Sequence, residues 1–154
     1  MTTKVDYRIR RARPEDGPAV RVFVLETFAA YGIVPDFEGA DKDLTEFGEH
    51  GDTVDSFVAE VDGKPVGSVM IAPSAANRGW LSKFFVDRAH RGKGIGRTLL
   101  ACAVEAARAR GYRHLDLDTE SYFVEAQHLY ESTGWKRVNR APIERCDASY
   151  SLEL

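Results

Sequence analysis

The 154-residue sequence contains only two cysteines, Cys102 and Cys146, which stand far apart and without the spacing of a metal site. This pattern argues against a disulfide framework and predicts a reduced, cytoplasmic protein, with Cys102 packed as a thiol on an apolar helix face. No apolar segment approaches the roughly 20 residues that a membrane-spanning helix needs, and the first residues contain no apolar signal core. We therefore expect no membrane as a partner.

Three common kinds of functional site are also missing. The four histidines do not have the spacing of metal ligands, so we expect no metal. A Gly-x-Ser-x-Gly elbow is absent, which argues against a serine hydrolase. The formal net charge of −3 argues against general binding of nucleic acid. The basic residues of segment 88–97 form a local patch in an acidic chain, and such a patch favours a small anionic ligand.

The remaining composition, 44% apolar and 29% charged residues, is that of an ordinary globular protein. The length fits one domain over residues 1–154. Hydrophobic periodicity predicts an α+β fold, in which a mixed, mostly antiparallel sheet carries helices on both faces. The predicted strands are 7–10, 56–61, 64–72, 80–86, 114–119, 135–139 and 148–154. The predicted helices begin at Pro14, cover 41–49, follow the glycines after residue 92, and cover about 123–133.

The most informative segment is a basic, glycine-rich turn that follows the predicted strand 80–86. It reads Arg91-Gly92-Lys93-Gly94-Ile95-Gly96-Arg97, and an amphipathic helix follows directly. Glycine removes side chains where a ligand must approach the backbone. The start of a helix offers unpaired N–H groups and the positive end of the helix dipole. A turn of this kind suits a pyrophosphate.

Two familiar phosphate-binding patterns do not fit this turn. Lys93 is not followed by Ser or Thr, as a P-loop requires, and the glycines alternate instead of following G-x-G-x-x-G. The spacing Arg91-x-x-Gly94-x-Gly96 resembles motif A of the GCN5-related N-acetyltransferases, the GNAT family, which bind acetyl-CoA through its pyrophosphate. Taken alone, the segment fits equally well a glycine-rich turn that only caps a helix.

A second motif follows one predicted strand later. Residues 126–135 read Ala-Gln-His-Leu-Tyr-Glu-Ser-Thr-Gly-Trp, which resembles the later GNAT helix with its Ala-x-x-Leu-Tyr-Glu pattern and its final glycine. Two motifs in the family's order extend the resemblance over essentially the whole chain. The resemblance implies a GNAT-like acyl-CoA N-acyltransferase fold of three layers, α/β/α, with a β-α-β unit at the phosphate turn. It also implies that strands 80–86 and 114–119 splay apart around the pantetheine arm of acetyl-CoA.

The resemblance also implies an activity: transfer of an acetyl group from acetyl-CoA, as cosubstrate, to a primary amine of a small molecule, peptide or protein by direct attack. Tyr130 would be the general acid, since a phenol with a pKa near ~10 suits protonation of a leaving thiolate. The alternative to this catalytic role is a tyrosine that packs on a helix face and exposes its hydroxyl to solvent. The residues implied to bind acetyl-CoA are Phe84, Phe85 and Val86 through their backbone, and Arg91, Gly92, Lys93, Gly94, Ile95, Gly96, Arg97 and Thr98 around the pyrophosphate.

The sequence departs from the family at two positions. Strand 80–86 contains no carboxylate, although many relatives carry a glutamate there as general base. Deprotonation through water by Asp118 or Glu120 is one alternative, and a merely solvated strand end is the other. Phe123 stands where relatives often have an asparagine that contacts CoA, so we assign it no polar role.

The acceptor pocket implied by the resemblance lies between the first two helices, where acids and aromatic rings would suit a cationic amine. These residues are Glu26, Phe28, Tyr31, Asp36, Glu38, Asp41 and Asp43. Solvation of helix ends and loops explains the same acids equally well. The missing strand carboxylate leaves a second function open, a catalytically degenerate module that senses acyl-CoA without turnover. Strand 148–154 could pair across a homodimer or complete the chain's own sheet.

Overall fold

The computed structural model describes residues 6–140 and 145–154, which form one seven-stranded sheet with helices on both faces. The strand order is β1-β2-β3-β4-β5-β7-β6, and every neighbouring pair is antiparallel except β4 and β5, which are parallel. The strands are β1 (Arg8–Arg11), β2 (Asp55–Val61), β3 (Lys64–Ala75), β4 (Arg78–Val86), β5 (His114–Thr119), β6 (Lys136–Arg137) and β7 (Ala148–Glu153). The helices are α1 (Gly17–Ala30), α2 (Lys42–Thr45), α3 (Ile95–Ala109) and α4 (Val124–Ser132).

Two apolar clusters separate the three layers. One cluster lies between the sheet and the helices α3 and α4, and it includes Leu99, Leu117 and Tyr130. The other lies between the sheet and α1, and it includes Val24 and Leu44. The predicted fold class is therefore confirmed. No helix within residues 6–140 and 145–154 is long and apolar enough to cross a membrane.

The first two helices are shorter than the periodicity predicts. Pro14–Asp16 form a 3-10 turn, and the α-helix begins only at Gly17. The predicted helix 41–49 is wrong beyond one turn, because only Lys42–Thr45 are helical. Gly48 has φ of +86°, and a Cβ there would stand 2.3 Å from the carbonyl oxygen of Arg13. The close approach of these two segments ends the helix early, although Leu44 and Phe47 are buried as expected.

The strands also differ from the prediction at their ends. The hairpin between β3 and β4 extends to Ala75 and Arg78, with Asn77 at φ of +61° in the turn, so both strands are longer than predicted. The predicted strand 135–139 shrinks to two residues. Strand β7 lies between β5 and β6, so the C-terminal strand completes the chain's own sheet.

Helix α3 packs closely on the sheet because small residues line the contact. Ile95, Leu99 and Ala103 are buried as predicted, whereas Cys102 is half-buried against the core. Burial raises the pKa of the Cys102 thiol, which keeps it in its less reactive protonated form. Gly67 on β3 allows this approach, since a Cβ there would stand 2.7 Å from a methyl group of Leu99. This packing fixes the start of α3 beside the end of β4.

Candidate active site

A cavity of about 1110 Å³ opens where β4 and β5 part. The two strands pair at only three positions, the last being Trp80 with Asp116. Beyond this pair the edge of β4 from residue 81 to residue 86 has no partner strand among the described residues, although its other edge pairs with β3. The predicted divergence of these strands is therefore present, and it leaves backbone groups of β4 facing the cavity.

The glycine turn lies at one end of this cavity. Gly92 and Gly94 have φ of +76° and +84°, and a Cβ at either position would meet no atom within 4 Å. Gly94 is the N-cap of α3, and no side chain in the described part of the chain caps the helix. The N–H of Thr98 bonds the Gly94 carbonyl at 3.2 Å, so the N–H groups before it precede the first helical hydrogen bond. Open space and free donors together make this end suitable for an anion.

The predicted residues of the turn do not all reach the cavity. Gly92, Gly94, Ile95, Gly96 and Arg97 line it, whereas Lys93 and Thr98 are not among the lining residues. The Thr98 hydroxyl instead bonds Tyr7 and the Gly94 carbonyl.

Arg91 also lines the cavity, but its guanidinium is held by the protein. The Nε donates to the Val86 carbonyl at 2.9 Å, and Nη2 donates to Thr27 at 3.0 Å. Arg91 thus ties the end of β4 to α1. The preceding 3-10 turn, within the basic segment 88–97, supplies Arg88 and His90 as further lining residues.

Tyr130 lies in the middle of the cavity wall, on α4. Its ring packs against Phe84, Trp135 and Tyr150, with ring centres 5.5 to 6.0 Å apart. Only 4% of Tyr130 is exposed, and no described residue hydrogen-bonds its hydroxyl. Burial, and then the nearby Tyr150 and Glu120, raise the pKa of Tyr130 far above its ordinary value of 10.0. The phenol is therefore protonated at neutral pH and can act as a hydrogen donor towards the cavity.

Glu120 follows β5 and faces the same cavity. It is buried, and its carboxylate accepts a hydrogen bond from Nε of Arg145 at 3.1 Å and one from its own backbone N–H. Burial raises the pKa of Glu120 above its ordinary value of 4.5, against the opposing charge of Arg145. A buried carboxylate with a raised pKa is suited to accept a proton. Asp118, the other acid that the sequence analysis named, also lines the cavity but bonds Ser149 and Arg140, both at 2.6 Å.

A buried network of ion pairs lies beneath the end of the cavity away from the glycine turn, which we call the far end. Asp41 is fully buried, and its carboxylate accepts hydrogen bonds from both terminal nitrogens of Arg145, at 2.8 and 2.9 Å. The same carboxylate lies 3.3 Å from Nζ of Lys83. Lys83 also reaches Asp43 at 2.9 Å and the Ala40 carbonyl at 3.2 Å. Burial alone would raise the pKa of Asp41, but Arg145, the N–H of Asp36 and the charge of Lys83 hold it below its ordinary value.

The acidic and aromatic residues expected around the acceptor therefore separate into those that line the cavity and those that do not. Phe28, Tyr31 and Asp43 line the cavity, as do Phe85 and Phe123. Four expected residues are not among the lining residues, and these are Glu26, Asp36, Glu38 and Asp41. Spacing along the chain could not show that Asp41 forms ion pairs with Lys83 and Arg145, because both partners are distant in sequence.

Comparison with known proteins agrees with this geometry. The model of the Acetyltransferase (GNAT) family matches residues 20–135. The chain is 31% identical over 142 residues to YjgM of Escherichia coli (strain K12), an uncharacterized N-acetyltransferase. The match covers 86% of this chain and 84% of that protein.

Two solved structures share the fold. An acetyltransferase of the GNAT family from Staphylococcus aureus MU50 has a TM-score of 0.87 at 19% identity, over 96% of this chain and 99% of that one. The PaiA N-acetyltransferase of Thermoplasma acidophilum, solved in complex with coenzyme A, has a TM-score of 0.75 at 16% identity, over 97% and 100% of the two chains. At these identities the likeness shows the fold.

The ion network predicts a specific loss of stability. Asp41→Asn should lower the free energy of unfolding by about 3 kcal/mol, because two cations would lose their shared buried carboxylate. The pKa of Asp41 lies below 3.8 in the folded state, so its contribution is present above pH 3.8 and is lost as the pH falls through the lowered folded-state value. Urea denaturation at several pH values would show the two proteins converging in acid. Asp43→Asn, at a more exposed carboxylate of the same network, should cost less, and equal losses would contradict the central role of Asp41.

Proposed function

Because this chain belongs to the GNAT family of acetyltransferases, we propose that it transfers an acetyl group from acetyl-CoA to an amine. The observation that carries the proposal is the single cavity between β4 and β5. It joins an anion-binding turn at Gly92 and Gly94 to a protonated phenol, Tyr130, and a buried carboxylate, Glu120. A phosphate site, a proton donor and a proton acceptor in one cleft are the parts that acyl transfer to an amine requires.

The residues of the cleft fit acetyl-CoA. Its pyrophosphate would lie against the open N–H groups at the start of α3, where the glycines leave space. Arg97 and Arg88 supply positive charge beside this turn, whereas Arg91 keeps the end of β4 in place. The pantetheine arm would run along the unpaired edge of β4, whose backbone at Phe84, Phe85 and Val86 can pair with amides as a strand does.

The proton movements are assigned to two side chains. When bound, acetyl-CoA supplies a thioester whose carbonyl carbon can be attacked by an amine. Glu120 accepts the proton that the amine gives up, directly or through water. The carbon–nitrogen bond forms, the carbon–sulfur bond breaks, and the hydroxyl of Tyr130 donates its proton to the departing sulfur. The raised pKa of Glu120 makes it a stronger base than an exposed carboxylate. Tyr130 is protonated at neutral pH, although its raised pKa makes it a weaker acid than an exposed phenol.

The phosphate turn can be tested with two matched variants. Asparagine tolerates a left-handed backbone, so Gly94→Asn should fold while placing a side chain in the cradle. We expect its affinity for acetyl-CoA, measured by calorimetry, to fall at least tenfold. Gly111→Asn makes the same change at φ of +81° just beyond the other end of α3, outside the cavity, and should bind normally. Equal affinity of the two variants would remove Gly94 from the site, and absence of binding by the wild-type protein, with NADH and ATP as controls, would refute the proposed function.

The role of Tyr130 predicts a loss of turnover without a loss of binding. Tyr130→Phe should lower kcat on the order of a hundredfold, as expected for loss of a general acid, and leave acetyl-CoA affinity nearly unchanged. Tyr150→Phe is the matched control, because its hydroxyl is bonded to Gln127 and Glu131 outside the cavity. Unchanged kcat in Tyr130→Phe would exclude the tyrosine from the mechanism. Binding of acetyl-CoA by the wild-type protein without turnover of any amine would favour the acyl-CoA sensor.

The role of Glu120 predicts a dependence of kcat on pH. Since the pKa of Glu120 is raised above 4.5, wild-type kcat should decline as the pH falls through a value above 4.5, where the base becomes protonated. Glu120→Gln should lower the plateau on the order of a hundredfold and remove this acid limb. Glu105→Gln, on the exposed side of α3, should preserve both. An unchanged acid limb in Glu120→Gln would assign the base to another group.

A further inference from the structure

The far end of the cavity is walled by five aromatic rings. Tyr31 stacks on Tyr122 with ring centres 5.0 Å apart, and both contact Phe123 at 4.9 Å. Phe123 continues to Phe85 at 6.1 Å, and Phe85 to Phe28 at 5.7 Å. All five rings line the cavity, and Tyr31 and Tyr122 are 45% and 42% exposed. We call these five residues the aromatic wall.

The cations at this end of the cavity are already occupied by carboxylates and a carbonyl. Lys83 has three oxygen partners, in Asp41, Asp43 and Ala40, which match the three protons of an ammonium group. Each nitrogen of Arg145 donates to a carboxylate, and its guanidinium also lies 4.9 Å from the centre of the Phe28 ring. Both cations are therefore already paired with carboxylates, and Asp41, Asp43 and Glu120 offset their positive charge at this end.

Some neutral polar groups of this end are bonded within the protein, whereas the hydroxyls of Tyr31 and Tyr122 have no hydrogen-bond partner among the described residues. The hydroxyl of Ser82 bonds Asp43 at 2.9 Å, and that of Thr27 bonds the Phe23 carbonyl at 2.9 Å and Arg91 at 3.0 Å. Glu120 differs, since Arg145 is the one described residue, apart from the N–H of Glu120 itself, that donates to its carboxylate. The surface left for a ligand is therefore mainly aromatic, with the hydroxyls of Tyr31 and Tyr122 and the carboxylate of Glu120 beside the rings.

On the premise of the proposed acetyl transfer, we propose that the acceptor is an arylalkyl amine that has no carboxylate next to its amino group. Its ring would pack on the aromatic wall, and its amino group would meet Glu120. Two cations face three carboxylates at this end, and this balance favours a cationic ligand over an anionic one. The carboxylate of an aromatic amino acid would enter a site where carboxylates already outnumber the cations, which is unfavourable. An aliphatic diamine would leave the aromatic wall uncovered.

Three amines separate these classes. Phenethylamine, phenylalanine and putrescine would be offered with acetyl-CoA, and release of the CoA thiol would be followed to obtain kcat/KM. We expect phenethylamine to exceed both others at least tenfold. Equal or faster acetylation of phenylalanine would show that this end of the cavity accepts a carboxylate and would overturn the inference. Equal or faster acetylation of putrescine would show that the aromatic wall does not select the acceptor, and would overturn it as well. In both of these cases the proposed acetyl transfer would stand.

A ratio of specificities tests the wall without depending on overall activity. Phe123→Ala should lower kcat/KM for phenethylamine relative to butylamine at least tenfold, because only the aromatic acceptor loses a ring contact. Phe37→Ala removes an exposed ring outside the cavity and should leave the ratio unchanged. An unchanged ratio in Phe123→Ala would refute the role of the wall.

Failure of the proposed function is distinguishable from failure of this inference. If no amine is acetylated, calorimetric titration of the CoA-saturated protein with phenethylamine and phenylalanine measures the pocket directly. Binding of phenethylamine at least tenfold tighter than that of phenylalanine would support the acceptor pocket in a protein without turnover. Comparable binding of both, or binding of neither, would overturn the inference.

Discussion

The parting of β4 from β5 is the constraint on which the site depends. The two strands are joined through α3, and such a crossover makes them parallel in a sheet that is otherwise antiparallel. They pair from Arg78 to Trp80 and then diverge, so one edge of β4 has no partner strand within residues 6–140 and 145–154. An unpaired strand edge is normally a liability, and here it lines a cavity where a ligand with amide groups can complete it. The start of α3 lies at the same place, so the backbone alone provides both a strand edge and the N–H groups that we propose bind the pyrophosphate.

Buried ion pairs stabilise the far end of the cavity. Asp41 precedes α2, Lys83 lies on β4 and Arg145 precedes β7, so one carboxylate joins three distant parts of the chain. Lys83 has φ of +49°, at the register shift between β3 and β4, and the hydroxyl of Ser68 bonds its carbonyl at 2.8 Å. The strand thus leaves its regular path where its side chain enters the ion network. A cavity supported in this way keeps its aromatic side chains in place while leaving Glu120 beside them.

Two charged residues illustrate where reasoning from the sequence reached its limit. Asp41 was expected to face a cationic acceptor and Arg91 to face a phosphate, and the residue types suit both roles. In the structure Asp41 neutralises Lys83 and Arg145, and Arg91 donates to Val86 and Thr27. A charged side chain bonds whatever complementary group the fold brings near it, and those groups lie on other elements. Glu120 shows the opposite case, since only burial by the surrounding layers distinguishes it from a solvated strand end.

The sequence by itself determined the family, the layered fold, the glycine turn and the place of Tyr130, because local patterns encode these features. Alternating apolar residues define strands, periodic ones define helices, and glycines mark the positions of positive φ at Gly92 and Gly94. Tertiary structure decided how far α2 extends, since Gly48 approaches Arg13, and which acids remain available to a ligand. It also brought Tyr31, Phe85 and Phe123 into one wall. These properties depend on contacts between segments distant in the chain, and no local pattern specifies which side chains such contacts will bury or pair.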